Sequence, residues 1–239
     1  MKTTWRQELI PLVCIAAMIG AGAWSWSRVP DRLPIHWNAV GRVDGYGGKF
    51  VGLALIPLVS IGVYALFFAL PALDPGKRNY ENFASAYRAV RTGFLLFLGA
   101  LYAATLVAAH GRNVNMTTVV MSALGVLFMV IGNAMGKIRP NHFVGIRTPW
   151  TLSSKQSWNK THRLGGWLFM LQGIVFVATG FASPGLLILV VIGSPLITIC
   201  VLVPYSYHAY ANDPERISPA GVTPAHDDSM IDEIPTGRN

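Results

Sequence analysis

Long apolar runs at about 9–27, 51–73, 92–109, 116–136, 164–182 and 185–205 alternate with short polar stretches along the chain. Each is close to the roughly 20 residues that a helix needs to cross a hydrocarbon core of about 30 Å. The pattern predicts an all-α integral membrane protein with six transmembrane helices. It also predicts an outer polar loop after helix 1 and an inner basic loop between helices 4 and 5. The first run follows Lys2 and Arg6, and Ala21-Gly22-Ala23 would pass as a signal-peptide cleavage site. Trp24 and Trp26 instead suit the interfacial anchors of a retained helix. Pro57 in the second run is tolerated where neighbouring helices cover the freed backbone groups.

The polar stretches have patterns of their own. In 28–50, Pro30 and Pro34 keep the first half extended. Gly41, Gly45, Gly47 and Gly48 with Asp44 favour turns in the second half, so one or two short strands or a compact loop are expected there. In the following linker Tyr80, Phe83, Ala84, Tyr87 and Val90 recur at helical spacing. That spacing predicts an interfacial helix or an extension of the third span. A tight turn is expected at Ser183-Pro184. From Ala209 onward Pro, Ser, Asp and Glu replace apolar residues, the composition of a disordered tail.

Charge fixes an orientation. Of the chain, 52% is hydrophobic and 13% charged, and the net charge is +8; soluble domains carry about 25% charged residues. A basic balance can indicate nucleic-acid binding, but here Lys and Arg gather in the terminal segments and the second and fourth loops. Positive charge stays on the cytoplasmic side, so both termini are expected there and no direct nucleic-acid contact is implied. Cys14 and Cys200 fall inside apolar runs, which gives no disulfide framework.

Candidate chemistry concentrates in 132–167. This stretch holds Lys137, Arg139, Arg147, Lys155, Lys160 and Arg163, and no Asp or Glu. Gly132 and Gly136 make a GxxxG pattern expected to pack against another helix, with Asn133 as part of a polar pocket in the alternative reading. Thr148 before Pro149 should be extended, and Ser153 with Gln156 has capping-box spacing at a helix start. On that helix Trp158, Thr161 and His162 share one face, while Gln156, Asn159, Lys160 and Arg163 lie off it. Trp150, Trp158 and Trp167 could anchor the loop at the headgroups, its charges facing anionic lipid. That reading leaves Asn141, Asn159 and His162 without a purpose, and a specific binding site would use them. No span carries Asp, Glu, Lys or Arg in its middle, which argues against a coupled pump, and Gln172 is expected in an interhelical hydrogen bond. His36, His142 and His162 are scattered without a ligand cluster, no acid orients a Ser–His pair, and Gly45, Gly47 and Gly48 lack a phosphate-loop context. No metal, cofactor or catalytic residue is expected.

Residues 133–141, N-A-M-G-K-I-R-P-N, then V-G-I-R-T-P-W-T-L at 144–152 and W-N-K-T-H-R-L-G-G at 158–166, resemble the signature of the SdpI immunity-protein family. Upstream, P-D-R-L-P-I-H-W-N-A-V-G-R-V-D-G-Y is similar to the small N-terminal domain of many members, and Asp74-Pro75 with Asn79-Tyr80 to their linker. The resemblance implies an N-terminal family domain at 1–73, an amphipathic linker at 74–92, a membrane domain at 93–208 and a tail at 209–239. It implies a multi-pass protein of the bacterial inner membrane. The founding member resists a secreted peptide toxin and engages a cytoplasmic repressor. Carried over by position, the inner-loop candidates are Asn133, Lys137, Arg139, Asn141, Arg147, Thr148, Pro149, Trp150, Trp158, Asn159, His162 and Arg163. The outer-loop candidates for binding are His36, Trp37, Asn38, Asp44 and Tyr46. Membrane lipids, an extracellular peptide toxin and a cytoplasmic repressor are the partners implied. Two alternatives stay open: a passive transporter or small-molecule or lipid binder with a pocket near Asn133, and a membrane enzyme using His162 or His36 as base.

Overall fold

The computed structural model describes residues 4–182 and 184–216. Its helices run up and down between two ends: α1 (Trp5–Ser25), α2 (Lys49–Leu73), α3 (Ala84–Ala109), α4 (Met116–Met135), α6 (Lys155–Thr179) and α7 (Leu187–Ala211). A short helix, α5 (Pro149–Ser153), precedes α6, and 3-10 turns at Lys77–Phe83 and Pro184–Leu186 lead into α3 and α7. The linker is therefore an extension of the third helix rather than a separate one. The turn expected at Ser183-Pro184 lies partly outside the described residues, as does the tail from 217. The last helix continues to Ala211, past the boundary expected at 208.

Among the described residues, five helical segments are long and apolar enough to cross a membrane: Trp5–Ser25, Lys49–Leu73, Lys77–Ala109, Met116–Met135 and Leu187–Ala211. The sixth expected span, on α6, falls short by composition. Its first turns carry Lys155, Gln156, Asn159, Lys160, His162 and Arg163, and its apolar part is interrupted by Gly165, Gly166 and Gln172.

The stretch after α1 forms an antiparallel hairpin of β1 (Arg32–Trp37) and β2 (Val43–Gly48), irregular near His36. Leu33 is fully buried and joins Val29, Leu53 and Ala109 in a small core that seats the hairpin on the ends of α2 and α3. Asn38 accepts from the Val40 and Arg42 amides and Gly41 has φ +76°, so these residues close the turn.

Glycine sets the α4–α6 contact, though not at the expected pair. A Cβ on Gly132 would lie 2.7 Å from the Gly166 carbonyl, and one on Gly125 would lie 2.5 Å from that of Gly173. Gly136 meets nothing within 4 Å and faces open space, so it does not pack. Close approach of this kind gains dispersion contacts that lipid chains cannot replace. Gln172 donates to Ser194 Oγ at 3.0 Å and joins α6 to α7, as expected.

The helices also hold an ion pair that the hydropathy runs exclude. Arg91 on α3, 0% exposed, donates to both carboxylate oxygens of Glu8 on α1 at 2.6 Å. Tyr64 on α2 donates to the same carboxylate at 2.9 Å. The apolar runs at 9–27 and 92–109 begin one residue after each partner. Removing one member of such a buried pair typically costs about 3–5 kcal/mol, because the other charge is left without compensation.

Candidate functional site

The end of the bundle that carries the α4–α6 connection is built on an aromatic core of Tyr80, Phe83, Tyr87, Ala134, Ile138 and Trp158. From Gly136 the chain cannot continue as helix, since Pro140 blocks the next turn. It folds back through a loop organised by Asn141. This side chain is buried; Nδ2 donates to the carbonyls of Arg139 and Val144, and Oδ1 accepts from the amides of Phe143 and Val144.

Thr148 then caps α5, accepting from the Thr151 amide at 3.1 Å, with Pro149 at the first helical position where its missing N–H costs nothing. α6 is capped by Ser154, not Ser153: Ser154 Oγ accepts from the Ser157 amide at 2.9 Å. Gln156 reaches instead to the carbonyls of Ala209 and Asn212. Ser154 also donates to Asp213, whose carboxylate this bond holds below its usual range against a smaller effect of burial.

The expected faces of α6 are the observed ones. Trp158, Thr161 and His162 are buried, whereas Asn159, Lys160 and Arg163 are exposed. Trp158 Nε1 donates to the Ile138 carbonyl at 2.9 Å, and its ring stacks on His162 with centroids 4.1 Å apart. His162 is 1% exposed; its Nδ1 bonds to the Trp158 carbonyl at 2.8 Å and its Nε2 accepts from the Ile146 amide at 3.0 Å. Burial lowers the His162 pKa to about 4, against a smaller opposing effect of the Trp158 carbonyl, so the ring is neutral. Gly145 has φ +116°, and a Cβ there would lie 2.3 Å from His162 Nε2, so only glycine fits.

Arg139, Asn159 and Arg163 line one open cleft of about 670 Å³ with Gly136, Lys155, Gln156, Lys160 and the chain from Asp213 to Glu215. Arg147 lies elsewhere, donating to the His142 carbonyl, and Trp150 packs edge-on against Tyr207. Asn133 and Lys137 are exposed at the end of α4 and do not line this cleft. At the opposite end, Trp37 and Asn38 line a smaller hollow of about 200 Å³ with Ala39, Met116, Thr117, Val120, Met121 and Leu187. His36 Nδ1 and Asp44 Oδ1 are 2.6 Å apart across the hairpin, and Tyr46 is exposed. Among the described residues no three His, Cys, Asp or Glu side chains converge to hold a metal.

Two family models match the chain: the SdpI/YfhL protein family over residues 137–206, and a domain of unknown function (DUF1648) over residues 13–61. The chain is 25% identical to the Immunity protein SdpI of Bacillus subtilis (strain 168) over 205 residues, 86% of this chain and 96% of that protein. Over residues 137–206 the chain is thus similar to the SdpI family. It is a multi-pass bacterial membrane protein. No solved structure matches it.

Between the two matched regions, the SdpI part is tied to the upstream linker through Asp74. Its buried carboxylate accepts from the Gly76 amide at 2.6 Å, Tyr80 Oη at 2.9 Å and the His142 amide at 3.0 Å, and lies 3.1 Å from His142 Nδ1. Burial would raise this carboxyl, but the hydrogen bonds outweigh it and hold it below its usual range. Asn79 adds a bond to the Pro140 carbonyl at 2.6 Å. The linker residues Asp74, Asn79 and Tyr80 thus fix the SdpI loop in place, a role that the sequence reading did not assign. The available signal was an acid at the end of an apolar run, followed at helical spacing by polar and aromatic side chains.

Proposed function

We propose that this protein is an immunity receptor of the SdpI family, without catalytic activity, which responds to a secreted peptide toxin and engages a cytoplasmic repressor. The likeness to an immunity protein supports a role in immunity. The observation that carries the finer reading is the division of labour within the inner segment. Asn141, Trp158 and His162 are buried with their polar atoms engaged, so they act as the frame. Among the described residues, Arg139, Lys155, Lys160 and Arg163 stand on one open cleft against Asp213 and Glu215. A rigid basic plate with Asn159 and Gln156 between the charges suits the acidic surface of a protein partner. In this reading α6 is the sixth span, both termini are cytoplasmic, and the Trp37–Asn38 hollow faces the toxin. An enzyme using His162 as base gains no support, because both ring nitrogens are engaged and the ring is out of solvent.

The test is charge reversal on the cleft. Arg139→Glu with Arg163→Glu should lower toxin survival and repressor-dependent reporter induction at least tenfold, with normal protein in the membrane fraction. Undiminished activity in that double variant would remove the cleft from the function.

A further inference from the structure

A second charged cleft, of about 650 Å³, lies where the end of α2 meets the start of α3. Its walls are Phe67, Phe68, Pro71 and Ala72 from the last turns of α2, and Lys77, Arg78 and Glu81 from the 3-10 turn; Arg91 lines it from α3. None of these residues belongs to the candidate sites above.

Arg91 is the unusual member. Its Nη2 is engaged by Glu8, and its guanidinium lies 4.9 Å from the Phe68 ring and 5.4 Å from that of Tyr64. Its Nε and Nη1 are buried and have no hydrogen-bond partner among the described residues. A guanidinium presents five donors in a fixed fork, and leaving buried donors unpaired is costly. An acceptor with several oxygens, brought into the cleft, would complete the fork. The exposed Lys77 and Arg78 at the rim give the cleft an excess of positive charge over Glu81.

The rest of the lining says what carries that acceptor. A soluble anion has no use for Phe67, Phe68, Pro71 and Ala72. These residues continue into the apolar surface of α2, where Leu66, Phe68 and Leu73 are exposed and only 17% of the most apolar window is buried. The polar half of the cleft thus opens beside a helix face that needs lipid chains against it. We propose that this cleft binds an anionic phospholipid, its phosphate held by Arg91, Lys77 and Arg78 and its chains lying along Phe68 and Pro71. The lipid would bridge the ends of α2 and α3 and complete the Glu8–Arg91 cluster from its unpaired side. This is a different site from the basic plate around Arg163, and it does not depend on the immunity reading.

The experiment is lipid retention by the purified full chain in detergent, read by native mass spectrometry during titration with phosphatidylglycerol. Wild type should hold phosphatidylglycerol at least tenfold more tightly than phosphatidylcholine, and millimolar inorganic phosphate should not displace it. The variant Lys77→Gln with Arg78→Gln changes exposed side chains only. At about fivefold for each charge at a membrane surface, it should weaken phosphatidylglycerol about twenty-five-fold. Arg32→Gln with Arg112→Gln removes the same charge from exposed positions outside both clefts and should leave retention unchanged. Equal retention of the two lipids, equal losses in the two double variants, or displacement by inorganic phosphate would each overturn the proposal, the last by showing a site for a free anion.

Discussion

At His162 two hydrogen bonds and a stack hold the ring inside the core. Nε2 accepts from the Ile146 amide, so the proton of the neutral ring sits on Nδ1 and points at the Trp158 carbonyl. Protonating Nε2 would set one N–H against another in a buried pocket. The folded pKa of about 4 lies below the ordinary 6.5, so the unfolded chain binds the proton more readily. The stabilisation is complete above about pH 6.5, falls as the pH drops towards 4, and changes no further below that. Its size is about 3 kcal/mol over this window. The midpoint of thermal unfolding in detergent should therefore fall from pH 7.5 to pH 4.5, and the fall should be smaller in His162→Gln, which cannot titrate. Equal pH dependence of wild type and variant would remove the buried-histidine account. The sequence placed His162 on the correct face but could not say whether that face was a site or a core. That depends on Gly145 and Ile146 folding back over the ring, a contact between segments that no helical period encodes.

Among the elements, α6 carries the largest share of interpretation. Its approach to α4 rests on the crossings Gly132–Gly166 and Gly125–Gly173, in which a Cβ on either glycine would run into the opposing carbonyl. Gly132→Leu should therefore lower the unfolding midpoint of the purified protein markedly, on the scale of the 1–3 kcal/mol that overpacking costs, and Gly136→Leu should leave it within error. A reversed order of the two variants would mean that the helices cross one turn further along. The GxxxG spacing pointed to the right helix and only to one of its two glycines, because the true partners recur seven residues apart on both helices. The helices were legible in the apolar runs, although α3 begins eight residues before its run and α6 nine. The ends were not, and there the missed features lie: Glu8 and Arg91 each fall one residue before a run, and α6 and α7 extend into polar sequence where Ser154, Gln156 and Asp213 bind the two together. Hydropathy reports which residues lipid will accept; it cannot see charges that neutralise one another inside the protein.

For the whole molecule the open quantity is the number of crossings, because it decides where the ends of the chain lie. Among the described residues five segments qualify by length and composition; α6 does not, yet its 25 residues reach about 37 Å at 1.5 Å per residue. It starts beside the end of α4, and Gly180 beyond its end accepts from Thr118 Oγ1 at the start of that helix. α6 therefore runs the full length of α4, packed between it and α7, and neighbours on both sides relax the demand for an apolar surface. With α6 as a crossing helix there are six spans and the two termini share a side; with α6 lying at the surface there are five, and they do not. The concentration of Lys and Arg in the terminal segments and in the α2–α3 and α4–α6 connections favours six, with those parts in the cytoplasm. Single cysteines in a background lacking Cys14 and Cys200 separate the cases. Tyr46 on the hairpin, Lys155 at the start of α6 and Phe181 just past its end are all exposed. Cysteines at Tyr46 and Phe181 should react with a membrane-impermeant maleimide in intact spheroplasts, and one at Lys155 only after permeabilisation. Labelling of Lys155 and Phe181 from the same side would leave five spans, put the termini on opposite faces, and separate the basic plate from any cytoplasmic partner.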